Sequence, residues 1–287
     1  MGILLGLLAA LGWGVADFLV SQTSRRVGAT QTLFYIQLVG FVAIVAVLAA
    51  RFGVPVATPA IWAATFGLAL INLAGTALIY RAYAIGTLAL VSPIASGFAV
   101  VTALLALLSG ARLTLLALVG ALLLIVGVAV VSQGADDGHA PAQIVRPRRR
   151  LPPGVIEAIG VAFGFGVYFW GLGFVSPQLG PIWPIVISRA VSALGVTLWL
   201  AHAKVLPMRL PGAVWLLVCG TAAMDTVAFL AFNIGIGSTE TAIVTALAAL
   251  FSAFTVLLAW ALLRERLAPH QWAGVGVILA GVLLVSV

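Results

Sequence analysis

The sequence predicts an all-α membrane protein, with ten transmembrane helices arranged as two inverted five-helix repeats around a central cavity. Three observations carry this reading. Of the 287 residues, 63% are hydrophobic and 7% charged, against about 25% charged in soluble domains, too few to clothe a water-facing surface. The apolar residues gather into ten runs, each close to the roughly 20 residues a helix needs to cross the hydrocarbon core. The runs then divide into two groups of five that match at a nearly constant offset.

The first five runs are 2–20, 30–50, 60–80, 88–109 and 113–132. A polar segment, 133–153, separates them from runs at 154–174, 181–202, 211–232, 241–263 and 269–287. All ten read as helices, because helices and closed barrels alone satisfy the backbone in lipid, and none shows the apolar–polar alternation of a barrel strand. The first run lacks the charged leader of a signal peptide and passes directly into further runs. Residues 1–133 and 154–287 therefore form two repeats joined by a basic polar linker, 134–153.

Gly6 and Gly160 stand 154 positions apart (160 − 6), and the same offset relates Gly12 to Gly166, Arg112-Leu113 to Arg266-Leu267, Gly120 to Gly274, Gly127 to Gly281 and Ser132 to Ser286. Trp62 and Trp215, like Gly67 and Gly220, miss it by one. Several pairs at one offset around a central linker indicate duplication. Because five is odd, the second group must start on the other side of the membrane from the first. Such inverted repeats place a site at the midplane and allow two nearly equivalent conformations, the geometry of alternating access.

The net charge of +7 does not indicate nucleic acid, since the basic residues sit at the ends of apolar runs, where cationic anchors face lipid head groups. The one dense cluster, Arg146-Pro147-Arg148-Arg149-Arg150, lies in the linker. Counting Lys and Arg by connection puts Arg25, Arg26, Arg81, the linker cluster, Lys204, Arg209, Arg264 and Arg266 on odd-numbered connections, and only Arg51 and Arg112 on even ones. By that count the odd connections are cytoplasmic and both termini outside. Cys219 is alone, so no intrachain disulfide forms.

The stretches Ala82-Tyr83-Ala84-Ile85-Gly86 through Ser92-Pro93, and Gly110-Ala111-Arg112-Leu113-Thr114, resemble EamA-type ten-helix exporters of the drug/metabolite transporter superfamily. So do Arg264-Glu265-Arg266-Leu267, Gln271-Trp272-Ala273-Gly274 and residues 279–286. The resemblance spans essentially the whole chain. It implies a basket of ten helices around a cavity, export of small molecules with the amino-acid exporter branch nearest, and termini inside, opposite to the local charge count. The family's Gly-Glu after its fourth and ninth helices is matched by Glu265 but replaced by Ala111 in the first half, and Pro93 has Leu247 at its offset position.

A charge at a helix centre costs at least about 2.5–3.5 kcal/mol in the bilayer, so Asp17, Arg189 and Asp225 are the first candidates for a site. Asp225 and Asn72 lie at corresponding depths of the eighth and third runs, as do Arg189 and Gln37 of the seventh and second. Asp225 could attract a substrate ammonium, carry a coupling proton or pair with Arg189. Arg189 could clamp a carboxylate bidentately, neutralise Asp225, or bond free carbonyls. Asp17, near the end of its run, could face the cavity or reach the head groups.

Trp62, Trp183, Trp199, Trp215 and Trp272 sit toward run ends, as an interfacial belt. Trp13, Tyr35, Tyr80, Tyr83, Tyr168 and Trp170 are expected to face a cavity, where rings accept apolar groups and cations, or to pack ordinary helix contacts. Gly2/Gly6, Gly160/Gly164, Gly120/Gly127 and Gly274/Gly281 read as helix-packing sites, and Gly86, Pro93, Gly235 and Gly237 as hinges or kinks. No nucleophile elbow, zinc-protease motif or phosphate loop is present, and His139, His202 and His270 fall outside or at the edges of the runs. The expected protein is thus not an enzyme, and needs no cofactor, metal or obligatory protein partner. It is a multi-pass inner-membrane exporter whose partners are a small-molecule substrate, most of all neutral and aromatic amino acids, and the lipid bilayer. A multidrug or organic-cation exporter is the alternative, and a channel the third.

Overall fold

The computed structural model describes residues 2–51, 53–110, 115–132, 151–236, 244, 247–248, 250–265 and 267–285. The helices among them are α1 (Gly2–Val27), α2 (Ala29–Arg51), α3 (Pro59–Ile85), α4 (Leu88–Ala95), α5 (Phe98–Leu108), α6 (Leu115–Ser132), α7 (Val155–Leu179), α8 (Trp183–His202), α9 (Gly212–Ile236), α10 (Phe251–Leu258) and α11 (Pro269–Val285). A wide helical turn, Ala259–Leu263, extends α10. Seven described spans are long and apolar enough to cross a membrane, with α4 and α5 together forming one of them, and Phe251–Leu263 is a shorter apolar helix. Most of the linker and Gly237 lie outside the described residues.

Two boundaries differ from the sequence expectation for clear reasons. The first helix continues seven residues past Val20, through Ser21-Gln22-Thr23-Ser24, because Ser21, Thr23 and Ser24 are turned into the protein and buried. It stops at Gly28, whose φ of +83° no side chain readily adopts. The run 88–109, expected as one helix, is two. Pro93 has no N–H to give the carbonyl one turn back, and a turn at Ser96-Gly97 separates α4 from α5. A turn at Leu250 precedes α10 at the corresponding depth of the second half.

The helices pack as α6 on α11, α1 on α9 and α10, α3 on α7 and α8, α5 on α7, and α2 on α8 and α9. Small residues set the tightest crossings. A Cβ added at Gly127 would lie 2.7 Å from Ile278 Cγ1 and 3.0 Å from the Gly274 carbonyl, so Gly127 and Gly274, two of the glycines expected to pack, meet where α6 and α11 cross. Gly164 of α7 lies against Gly75 of α3, with 3.7 Å from its notional Cβ to the Gly75 Cα.

Contacts between connections define two ends of the bundle. At one, called the linker face, the C-terminal end of α1 meets Gly86 and Glu265 through Arg25, and a Cβ on Gly86 would lie 2.6 Å from the Pro153 carbonyl. Tyr35, at the start of α2, donates to the Met208 carbonyl at 2.6 Å there. That places Tyr35 outside the central cavity expected for it. At the other end Trp183 donates to the Gly53 carbonyl at 3.0 Å and meets Trp62 edge to face, as residues of an interfacial belt would. The helix α7 begins at the linker face, where α1 ends.

Candidate functional site: a central polar–aromatic cavity

The central cavity is built by α1, α2, α3, α4, α5, α7, α8 and α9, with Phe251 of α10 closing one side. Its volume is about 90 Å³, room for a few waters and well short of the roughly 300–1,000 Å³ of ordinary ligand pockets. The structure brings Trp13, Asp17, Gln37, Asn72, Tyr80, Tyr83, Tyr168, Arg189 and Asp225 to its lining. Trp170 is placed elsewhere. One residue pair further along α7 than Tyr168, it turns away from the centre and donates to Ser109 Oγ at 3.1 Å.

Two polar clusters face each other across this space. In the first, Arg189 of α8 pairs with Asp225 of α9, and its other terminal nitrogen donates to Gln37 Oε1 of α2 at 2.7 Å. Gly40, one turn on from Gln37, makes room for the guanidinium; a Cβ there would lie 3.0 Å from Arg189 Cζ. The guanidinium carbon also stands 6.0 Å from the centre of the Phe229 ring. Of the readings open to Arg189, the pair with Asp225 is the one present, and it stands at the cavity wall. A buried guanidinium so held meets its desolvation cost with a carboxylate, an amide and an aromatic face.

The second cluster surrounds Asp17. Tyr83 of α3 donates its phenol hydrogen to Asp17 Oδ2 at 2.5 Å. Ser92 of α4 and Thr255 of α10 add hydroxyls at 3.3 and 3.4 Å. With α1 extending to Val27, Asp17 lies ten residues from the helix end and faces the protein interior, not the head groups. Three hydroxyls from three helices stabilise the carboxylate without a paired cation among the described residues.

Aromatic rings join the clusters into one wall. Trp13 meets Phe169, Phe229 and Phe251 edge to face at 5.7, 5.2 and 6.3 Å. Phe98 lies 4.7 Å from Phe169, and both also line a second cavity of about 690 Å³ between α5, α7 and α9 on the far side from the linker. Trp170 lines that space. The two phenylalanines thus form the partition between a contracted centre and a roomier chamber.

The remaining hinge candidates resolve individually. Gly86 ends α3 with an extended backbone, and its own N–H returns to the Ala82 carbonyl; what it requires is close approach to Pro153. Gly235 packs against Val244, whose methyl would lie 2.6 Å from an added Cβ. Sequence reasoning missed Ser92, Thr255, Ser188 (3.1 Å from the Tyr168 hydroxyl) and the ring of phenylalanines. An isolated hydroxyl or Phe in an apolar run carries no signal by itself.

Apolar spans around a polar, ring-lined centre define a membrane protein with an internal chamber. The chain belongs to the EamA-like transporter family, whose description matches it twice, over residues 1–133 and 152–287. It is therefore a multi-pass membrane protein of a transporter family, with the two-repeat layout of that family. A solved structure entitled "Crystal structure of protein" shares the fold, at 20% identity and a TM-score of 0.65, over 99% of this chain and 95% of the other. None of the curated proteins matches the chain.

Proposed function

We propose that the chain is a secondary transporter that exports small amphipathic metabolites, most of all neutral and aromatic amino acids, across the inner membrane by alternating access. The observation that carries the reading is the central cavity, where a guanidinium and two carboxylates meet an aromatic wall. A zwitterion supplies both charges such a site complements, and its side chain lies against the rings. The ten crossing helices form two inverted halves. Supporting this, α7 begins at the face where α1 ends, and helix breaks fall at matching depths before α5 and α10. The excess of Lys and Arg at the linker face supports a cytoplasmic location for it.

An organic-cation substrate is the second reading. It is favoured by the two carboxylates, Asp17 and Asp225, set against the single guanidinium of Arg189 at the same cavity. Counterflow in liposomes tests the proposal. Trans-acceleration of labelled phenylalanine or leucine by unlabelled amino acids supports it. Competition by quaternary ammonium compounds at similar concentration, without amino-acid acceleration, transfers the assignment to the second reading. Rapid flux with no trans-acceleration would make the protein a channel.

A further inference from the structure

We infer that the linker face carries a polar latch, Arg25–Glu265 on the N-terminal end of α4, which holds the cavity shut on that face. This rests on the alternating-access reading.

Four segments meet in the latch. Glu265, just past the turn that ends α10, accepts from the backbone N–H groups of Leu88 and Ala89 at 3.2 and 2.9 Å. These are among the free donors of the first turn of α4, where a carboxylate is stabilised by both hydrogen bonds and the helix dipole. The same carboxylate takes a 2.8 Å bond from Arg25 at the end of α1. Arg25 also donates to the carbonyls of Gly86 and Tyr83 at 2.9 and 3.3 Å, which lie at the end of α3. Glu265 is 11% exposed and Arg25 35%, so the bonds are partly sheltered from water. Arg81 and Glu157 form a more exposed pair at this face, at 3.2 Å.

The latch reaches the cavity through α4. That helix is only eight residues long, is detached from α5 at Ser96-Gly97, and carries Ser92, which donates to Asp17. A movement that frees the N-terminal end of α4 from Glu265 also moves Ser92 relative to Asp17, so occupancy of the cavity and closure of this face act on one short element.

The repeat offset locates the equivalent positions on the opposite face. Arg25 corresponds to Leu179, Glu265 to Ala111, Arg81 to Gly235 and Glu157 to Ile3. None of these four side chains can form an ion pair. The duplication therefore does not repeat this latch in sequence, and closure of the opposite face would use other residues.

The test is access of a thiol in the cavity wall. In a Cys219→Ser background, Val20→Cys or Thr76→Cys reports opening through its reaction with a membrane-impermeant maleimide, applied from each face in right-side-out and inverted vesicles. Glu265→Gln should raise the labelling rate from the linker face about tenfold, as expected when an equilibrium loses one set of charge-assisted hydrogen bonds, and should not raise it from the opposite face. Arg25→Gln should act in the same direction, and serves if Glu265→Gln does not fold. Arg81→Gln should change little. Unchanged linker-face labelling in both latch variants, or equal acceleration from both faces, overturns the proposal. Labelling is read without solute, so a shifted access rate combined with absent amino-acid trans-acceleration would retain the latch and reject the proposed function.

Discussion

Tyr83 and Asp17, 66 positions apart, are joined by a 2.5 Å hydrogen bond from phenol to carboxylate at the wall of the central cavity. The bond fastens α3 to α1 beside the only break in the first half's fourth span, and Ser92 draws α4 into the same cluster.

Replacing Tyr83 with Phe keeps the ring and removes the donor. Hydrogen bonds to charged groups contribute about 1.5–3 kcal/mol, and a loss within that range is expected. Thermal unfolding of the purified protein in detergent should show it as a lowered midpoint. Counterflow should slow by more than Tyr80→Phe causes, since among the described residues no hydrogen bond of comparable length ties Tyr80 to a charge. A Tyr83→Phe protein as stable and active as the parent would mean that Asp17 needs only water.

Asp225→Asn leaves Arg189 buried with an amide in place of its counter-charge. Breaking a buried pair by removing one partner costs about 3–5 kcal/mol. The variant should therefore be markedly less stable and should lose transport. Arg189→Met combined with Asp225→Leu removes both charges together, and is expected to recover most of the stability but none of the transport. Recovery of transport in the double variant would show the pair to be structural only.

Gly127→Val places methyl groups where α6 and α11 touch. The added Cβ meets the Ile278 backbone nitrogen at 2.9 Å and the Gly274 carbonyl at 3.0 Å, neither of which can swing aside. Overpacking of this kind costs about 1–3 kcal/mol. The lowered melting point should come without a change in substrate preference, because neither helix lines the central cavity.

Phe169→Ala opens the partition between the contracted centre and the chamber beside α5. A cost of about 3–5 kcal/mol in stability accompanies the lost ring. In a substrate panel, larger solutes should gain rate relative to small ones. An unchanged size preference would place the solute path elsewhere.

The membrane class and the duplication are written in composition and spacing, since lipid demands long apolar helices and duplication leaves its offset in the glycines; against the ten crossings expected, the described residues hold seven full-length spans and one shorter apolar helix. The three intramembrane charges were equally legible, as each is costly enough to need a reason. For Asp17 the cavity and the head groups both stayed open because Ser21, Thr23 and Ser24 look like a helix end; only the folded packing reveals that they face protein. The split of the fourth span was signalled by Pro93 alone, while the matching turn at Leu250 has no proline to announce it. Trp170 and Tyr35 illustrate a limit of reading aromatics by depth, because rotation about a helix axis decides which side a ring faces. Glu265 stands as the clearest gain from structure. Its motif partner is missing at Ala111, yet its bonds to Leu88, Ala89 and Arg25 give it a task that does not depend on symmetry.

The small volume at the centre has a consequence for discrimination. A cargo the size of phenylalanine cannot drop into a ready-made socket; it must part the stacked rings of Phe98, Phe169 and Phe251 and be surrounded by them. The toll of spreading that wall falls on every candidate alike, while the return depends on how well each one refills the gap. Under the proposed function, selection then follows plasticity of the lining more than a fixed template.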